Sequence, residues 1–205
     1  MQKVLRFGEK AESDAVELGR VLHLLSTPAR IEGYDISNIS GSLTTASMVV
    51  FMNGEADKKE YRKFKIKTVR GVNDFASLQE VLRRRFGRHA AATDNKQLTE
   101  NNGRELPVGS RKLPQVWPRP DLVLIDGGRP QLSAALEVWK ELKLDIPLVA
   151  LAKRLEELFI PGQLNPLVLP RTSGALHLLE RVRDEAHRFA ISYHKLLRRK
   201  KLVGK

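Results

Sequence analysis

Apolar positions along the chain change period several times, and each change marks an element. Leu18, Val21, Leu22 and Leu25 fall on one face of a helix that ends near Thr27-Pro28, where proline opposes continuation. Arg30 to Ser37 then reads as a first strand and Ser42 to Met52 as a second, with Asn53-Gly54 as a hairpin turn. A third strand, Glu60 to Thr68, alternates Phe64 and Ile66 inward with Lys63, Lys65 and Lys67 outward. Residues 30 to 68 are therefore expected to form an antiparallel meander. Asn73-Asp74 opens a helix whose Phe75, Leu78, Leu82 and Phe86 are spaced to face a core, with Arg83, Arg84 and Arg85 as a solvated last turn. From Gly87 to Pro120 the period is lost among Gly, Pro, Asn and Thr, which predicts a flexible surface insertion without a core role.

Leu122 to Ile125 is an unbroken apolar run that ends in Asp126, Gly127 and Gly128. Such a run fits a strand buried on both faces, as in a parallel sheet. The helix after it, Gln131 to Leu142, turns Leu132, Ala135, Leu136 and Trp139 inward, and Ile146 to Ala152 is another apolar strand. Glu156 to Leu169 reads as a short hairpin about Pro161-Gly162, and Ser173 as the cap of a long last helix through Asp184, His187 and Tyr193. The organisation expected is a lead-in segment and helix over 1–28, one α/β domain over 29–201 with the insertion at 87–120, and a tail at 202–205. Three antiparallel strands, a helix, a strand, a helix and a further strand is the element order of a ribonuclease H-like fold, a mixed sheet flanked by helices. That order sets the first strand beside the strand of Asp126, so Asp35 and Asp126 would meet at the sheet's centre, where open α/β sheets place their ligands.

Charge sharpens the picture. The net charge of +12 and pI near 10.1 favour a polyanionic partner, nucleic acid first. The absence of cysteine rules out disulfides and thiolate metal sites and fits a cytoplasmic protein. No apolar run approaches the ~20 residues of a membrane helix, so no membrane partner is expected.

YDISN at 34–38, YRKFKIKTV at 61–69, LRRRF at 82–86, LIDGG at 124–128, LAKR at 151–154 and RDEAHRFAISYH at 183–194 stand in one order. Together they closely resemble the UvrC family, the C subunit of the bacterial excinuclease ABC of nucleotide excision repair. The resemblance covers roughly 29 to 201 and matches that family's C-terminal nuclease domain, which is ribonuclease H-like. It implies a divalent-metal-dependent endodeoxyribonuclease that incises double-stranded, damaged DNA on the 5′ side of a lesion, with a UvrB-type helicase subunit as partner. The family's catalytic Asp–Asp–His set maps by motif onto Asp35, Asp126 and His187, and a further acidic position onto Asp74. The family's N-terminal nuclease domain and tandem helix-hairpin-helix module have no counterpart here. The chain is thus expected to be an excised domain or truncated product that binds DNA weakly by itself.

The residue chemistry agrees. Phosphodiester hydrolysis needs an in-line hydroxide and cations against the phosphoryl oxygens. Mg²⁺ or Mn²⁺ wants oxygen ligands, which Asp35 and Asp126 can supply. His187 could orient or deprotonate the water, or ligate the metal itself. Asp74 could be an outer ligand or an N-cap of the helix at 75. Arg183, one turn before His187, could face the phosphate or pair with a carboxylate. Lys153 could touch the scissile phosphate or its flank. Tyr61, Arg62, Lys63, Lys65 and Lys67 form a candidate DNA-contacting face, though solvated strand charges look the same. The alternative function is a catalytically silent DNA-binding or partner-docking domain of this fold.

Overall fold

The computed structural model describes residues 7–39, 43–69, 71–87 and 117–203. Its elements follow the chain as α1 (Phe7–Val21), β1 (Arg30–Ile39), β2 (Leu43–Met52), β3 (Glu55–Ala56), β4 (Arg62–Lys65), α2 (74–87), β5 (Leu122–Asp126), α3 (Arg129–Glu141), β6 (Leu148–Ala152), β7 (Glu157–Phe159), β8 (Leu167–Val168) and α4 (Gly174–Val203). One sheet runs in the order β3-β2-β1-β5-β6-β7-β8, with β4 also paired to β2. Strand β1 is antiparallel to β2 but parallel to β5, and β5 is parallel to β6. The mixed sheet flanked by helices is the architecture expected of the element order.

Side-chain alternation sorts the strands into two cores. Tyr34, Met48, Val123, Ile125 and Ala150 pack with α2 and α3 on one face. Ile31, Val49, Phe51, Leu122, Leu124 and Leu151 pack with α1 and α4 on the other. Continuing the alternation places Asp35 and Asp126 on the α4 face. Gly33 lies between Ile31 and Asp35, and a Cβ there would stand 2.5 Å from Val182 Cγ1. Its missing side chain is what lets α4 lie so close to β1.

Several expectations are corrected. Helix α1 ends at Val21 and buries Ala11, Asp14, Ala15 and Leu18, while Leu25 is fully exposed. Small residues, and the pairing of Asp14 with Arg181 at 2.9 Å, dock α1 on α4. The Asn53-Gly54 turn forms, but the strand after it splits into β3 and β4 around a short 3₁₀ turn, Lys58–Glu60. Phe75 is exposed, and Arg85, one of the arginines expected to be solvated, is buried against Glu32. Most of the 87–120 insertion, residues 88–116, lies outside the described residues. Its C-terminal end has a core role: Trp117 packs edge-on to Phe64 at 6.2 Å between centroids, under the guanidinium groups of Arg62 and Arg85. Ser173 does cap α4, its hydroxyl accepting from Leu176 N at 3.2 Å. Of the expected tail, 202 and 203 continue α4, and 204–205 lie outside the described residues.

The buried charge is concentrated at Glu32, which β1 points away from α4. Its carboxylate accepts from Arg30 (3.1 Å), Tyr34 Oη (2.7 Å) and Arg85 Nη2 (2.7 Å). Arg85 also donates to the Pro118 carbonyl at 2.6 Å, so this pair ties β1, α2 and the chain entering β5 together. Long-range pairing is what permits Arg85 to be buried at all.

Candidate active site

Asp35 lies in the middle of β1, just past the last residue that pairs with β5, and Asp126 at the end of β5; the pairing of Tyr34 with Ile125 puts them level across the parallel ladder. Helix α4 crosses this end of the sheet and delivers His187. Among the described residues these three form the cluster suited to a metal ion, with one ligand atom from each lying within 4.8 Å of the others. His187 Nδ1 is 3.4 Å from Asp35 Oδ2. Asp35 is buried, Asp126 half-buried, and the His187 side chain is 45% exposed, so the site opens to solvent on the histidine side.

The carboxylates are held differently. Ser37, two residues along the same strand face, donates to Asp35 Oδ2 at 2.8 Å. Asp126 has its carboxyl pushed up to about 6, by burial first and by the charge of Asp35 second. Arg183, His187 and Lys153 pull the other way. Two carboxylates this close repel unless a cation or proton lies between them. Behind Asp126 the chain turns at Gly127, whose φ of +147° suits glycine and where a Cβ would meet Gln131 Cγ at 2.7 Å. Gln131 Oε1 accepts from Gly128 N at 3.0 Å and closes the first turn of α3.

The other predicted site residues divide. Arg183 is buried and ion-paired to Glu156 and to Asp184. Of its two readings, ion pairing describes the contacts, and its charge still reaches Asp126. Lys153 is exposed, close enough to act on Asp126. Lys63, Lys65 and Lys67 are exposed and alternate with buried Phe64 and Ile66 as expected. Lys63 Nζ lies 4.5 Å over the Phe189 ring, and desolvation lowers its pKa. Arg62 folds back onto the Lys59 and Tyr61 carbonyls, each at 2.9 Å. Tyr61 does not belong to the exposed face: it is buried edge-on to Phe189, its hydroxyl donating to Glu185 at 3.1 Å. Asp74 stands in the first turn of α2, outside the cluster. The capping reading moves one residue back, since Asn73 Oδ1 accepts from Ala76 N at 3.0 Å.

Two contributors escaped the sequence reading. Ser37 was within reach of it, because residues i and i+2 of a strand share a face. Glu156, which holds Arg183, carried no local signal.

The sheet order, with carboxylates from β1 and β5 brought level at its centre, defines a ribonuclease H-like protein. The family described as the UvrC RNAse H endonuclease domain matches residues 19–191. The chain belongs to this family. It is 48% identical over 193 residues to the UvrABC system protein C of Methanosphaera stadtmanae, covering 94% of this chain and 30% of that protein. It is 47% identical to that of Thermobifida fusca, covering 92% and 29%. The chain thus spans under a third of the length of these curated relatives. Among solved structures, a DNA complex of Ciona intestinalis Endonuclease V aligns at TM-score 0.46 and 14% identity, over 92% of this chain and 97% of that one.

Proposed function

We propose that this domain is a divalent-metal-dependent DNA endonuclease and makes the 5′ incision beside a lesion in double-stranded DNA, working with a UvrB-type helicase subunit. The convergence of Asp35, Asp126 and His187 within 4.8 Å carries the reading. Family membership supports its repair setting. The donor set fits Mg²⁺ or Mn²⁺: two carboxylates at the sheet's centre, one buried and one half-buried, repel each other and offer hard oxygen ligands. Such a cation supplies positive charge to the phosphoryl oxygens and makes water at the site more acidic.

The chain's own residues do the rest. Asp35 and Asp126 would hold the cation from one face of the sheet. Ser37 steadies the Asp35 carboxylate. His187 turns Nδ1 toward Asp35, which leaves Nε2 to receive a proton from the attacking water. The exposed Lys63, Lys65 and Lys67, and Lys153 on the opposite flank of the site, offer cations to the DNA backbone. Supercoiled plasmid incubated with the chain and Mn²⁺ should be nicked, and Asp126→Asn should abolish nicking. Equal nicking by both proteins would assign the activity elsewhere and favour a silent DNA-binding or docking domain.

A further inference from the structure

Ser47 is the cross-strand partner of Asp35 in the β1–β2 ladder, so the two side chains share the α4 face. It is 1% exposed, and its hydroxyl donates a 2.8 Å hydrogen bond to the backbone carbonyl of Ala186. Ala186 is the residue immediately before His187. The next side chains along this face of β2, Val49 and Phe51, are apolar and pack in the core beneath α4. An alanine at 47 would fill nearly the same space with no donor to satisfy. Packing therefore does not account for the hydroxyl, and its direction does. Apolar contact is non-directional, whereas a hydrogen bond fixes one atom against another. Gly33 and Val182 set how close α4 lies to β1. Other directional bonds tie α4 at Gly174, Arg181, Arg183 and Glu185, and the Ser47 bond is the one made at the residue that precedes His187, on the strand position opposite Asp35.

We propose that Ser47 is a positioning residue of the site: it holds His187 against Asp35 by tying the Ala186 carbonyl to the sheet. The proposal rests on the reading of Asp35, Asp126 and His187 as the nuclease site. The bond acts on geometry to which proton transfer is sensitive, where a displacement of about 1 Å can cost about 10²-fold in rate.

The test compares Ser47→Ala with Ser77→Ala. Ser77 is 0% exposed and its hydroxyl donates at 2.7 Å to the Asn73 carbonyl at the start of α2, on the other face of the sheet. Each change removes one bond from a serine hydroxyl to a backbone carbonyl, that of Ser77 being local to its own helix. In the metal-free chain, the His187 imidazole NMR signals, assigned by their loss in His187→Ala, should shift in Ser47→Ala and stay in place in Ser77→Ala. With Mn²⁺ saturating, Ser47→Ala should slow plasmid nicking by about tenfold or more. It should slow His187→Ala no further, because a residue acting through another is non-additive with it. Ser77→Ala should keep the unaltered rate. Unmoved His187 signals in folded Ser47→Ala, or fully additive losses in the double variant, would overturn the proposal. Should Ser47→Ala fail to fold, Ser47→Cys, similar in size and a weaker donor, is read by the same outcomes. Shifted His187 signals in a chain that does not nick at all would sink the nuclease reading and still support the positioning role.

Discussion

At the scale of single residues, Asp126 sets the pH behaviour. A carboxyl raised to about 6 holds its proton in the folded state at pH values where an unfolded Asp has lost it. A cation must displace that proton below pH 6, so Mn²⁺ affinity measured by calorimetry should rise with pH through about 6 and level off above. The metal-free fold depends on pH in the opposite direction: the stability this group contributes at low pH is lost as pH rises through about 6. Asp126→Asn should then raise the melting temperature of the metal-free chain at pH 7.5 while removing metal binding; a lowered one would show that the charge is stabilising. His187→Ala should keep most of the metal affinity and slow incision by roughly 10²–10⁴-fold, the loss of a general base. An affinity that collapses with it would make His187 a ligand. Away from the site, Glu32 is fully buried against two arginines, and Glu32→Gln should cost about 3–5 kcal/mol in urea unfolding, because it leaves buried charge uncompensated.

At the scale of elements, the placement of α4 decides whether a site exists. Its first turn is held by Glu17 of α1, which accepts from Gly174 N at 3.1 Å and from the Ser173 hydroxyl at 2.5 Å. Its middle lies on β1 through Gly33. Gly33→Ala would drive a methyl against Val182, costing about 1–3 kcal/mol of overpacking and moving His187 away from Asp35. The expected outcome is a lowered melting temperature with a larger proportional loss of nicking. Full activity in Gly33→Ala would mean that α4 can retreat without consequence. On the opposite face, Glu80 clamps the chain after β4, accepting from Lys67 N, Thr68 N and the Thr68 hydroxyl. Burial raises its pKa, and these bonds together outweigh the burial and lower it. Its contribution is thus present above the ordinary carboxylate range and lost as pH falls through it.

Across the whole molecule, positive charge flanks the carboxylates without entering their cluster. Lys63, Lys65 and Lys67 lie on the β4 side, and Lys153 follows β6 on the other. A duplex laid over the strand ends would meet lysines on both flanks and carboxylates at the centre. DNA affinity should fall steeply with added salt through counterion release. Reversing the three β4-side lysines to Glu should weaken binding and flatten that slope, as read by fluorescence anisotropy. Salt-independent binding would exclude this face. Among the described residues no helix is long and apolar enough to cross a membrane.

Much of this was legible in the sequence. RIEGYDIS read as a strand carrying Asp35, the apolar run of LVLID set Asp126 at a strand end, and the element order made those strands neighbours. The lysine alternation around Phe64 and Ile66 and the cap at Ser173 are local signals of the same kind. What escaped was decided by partners distant in the chain. Arg85 looks like a solvated helix end until Glu32, 53 residues away, neutralises it. Tyr61 reads as a surface aromatic until Glu185 and Phe189 cover it. Trp117 sits in a stretch without period, yet two arginines and Phe64 hold it. Periodicity records which way a side chain faces, because backbone geometry is local. What meets that face depends on how α1, α2 and α4 dock, and only the tertiary structure settles whether a charge there is solvated, paired or left free to bind a cation.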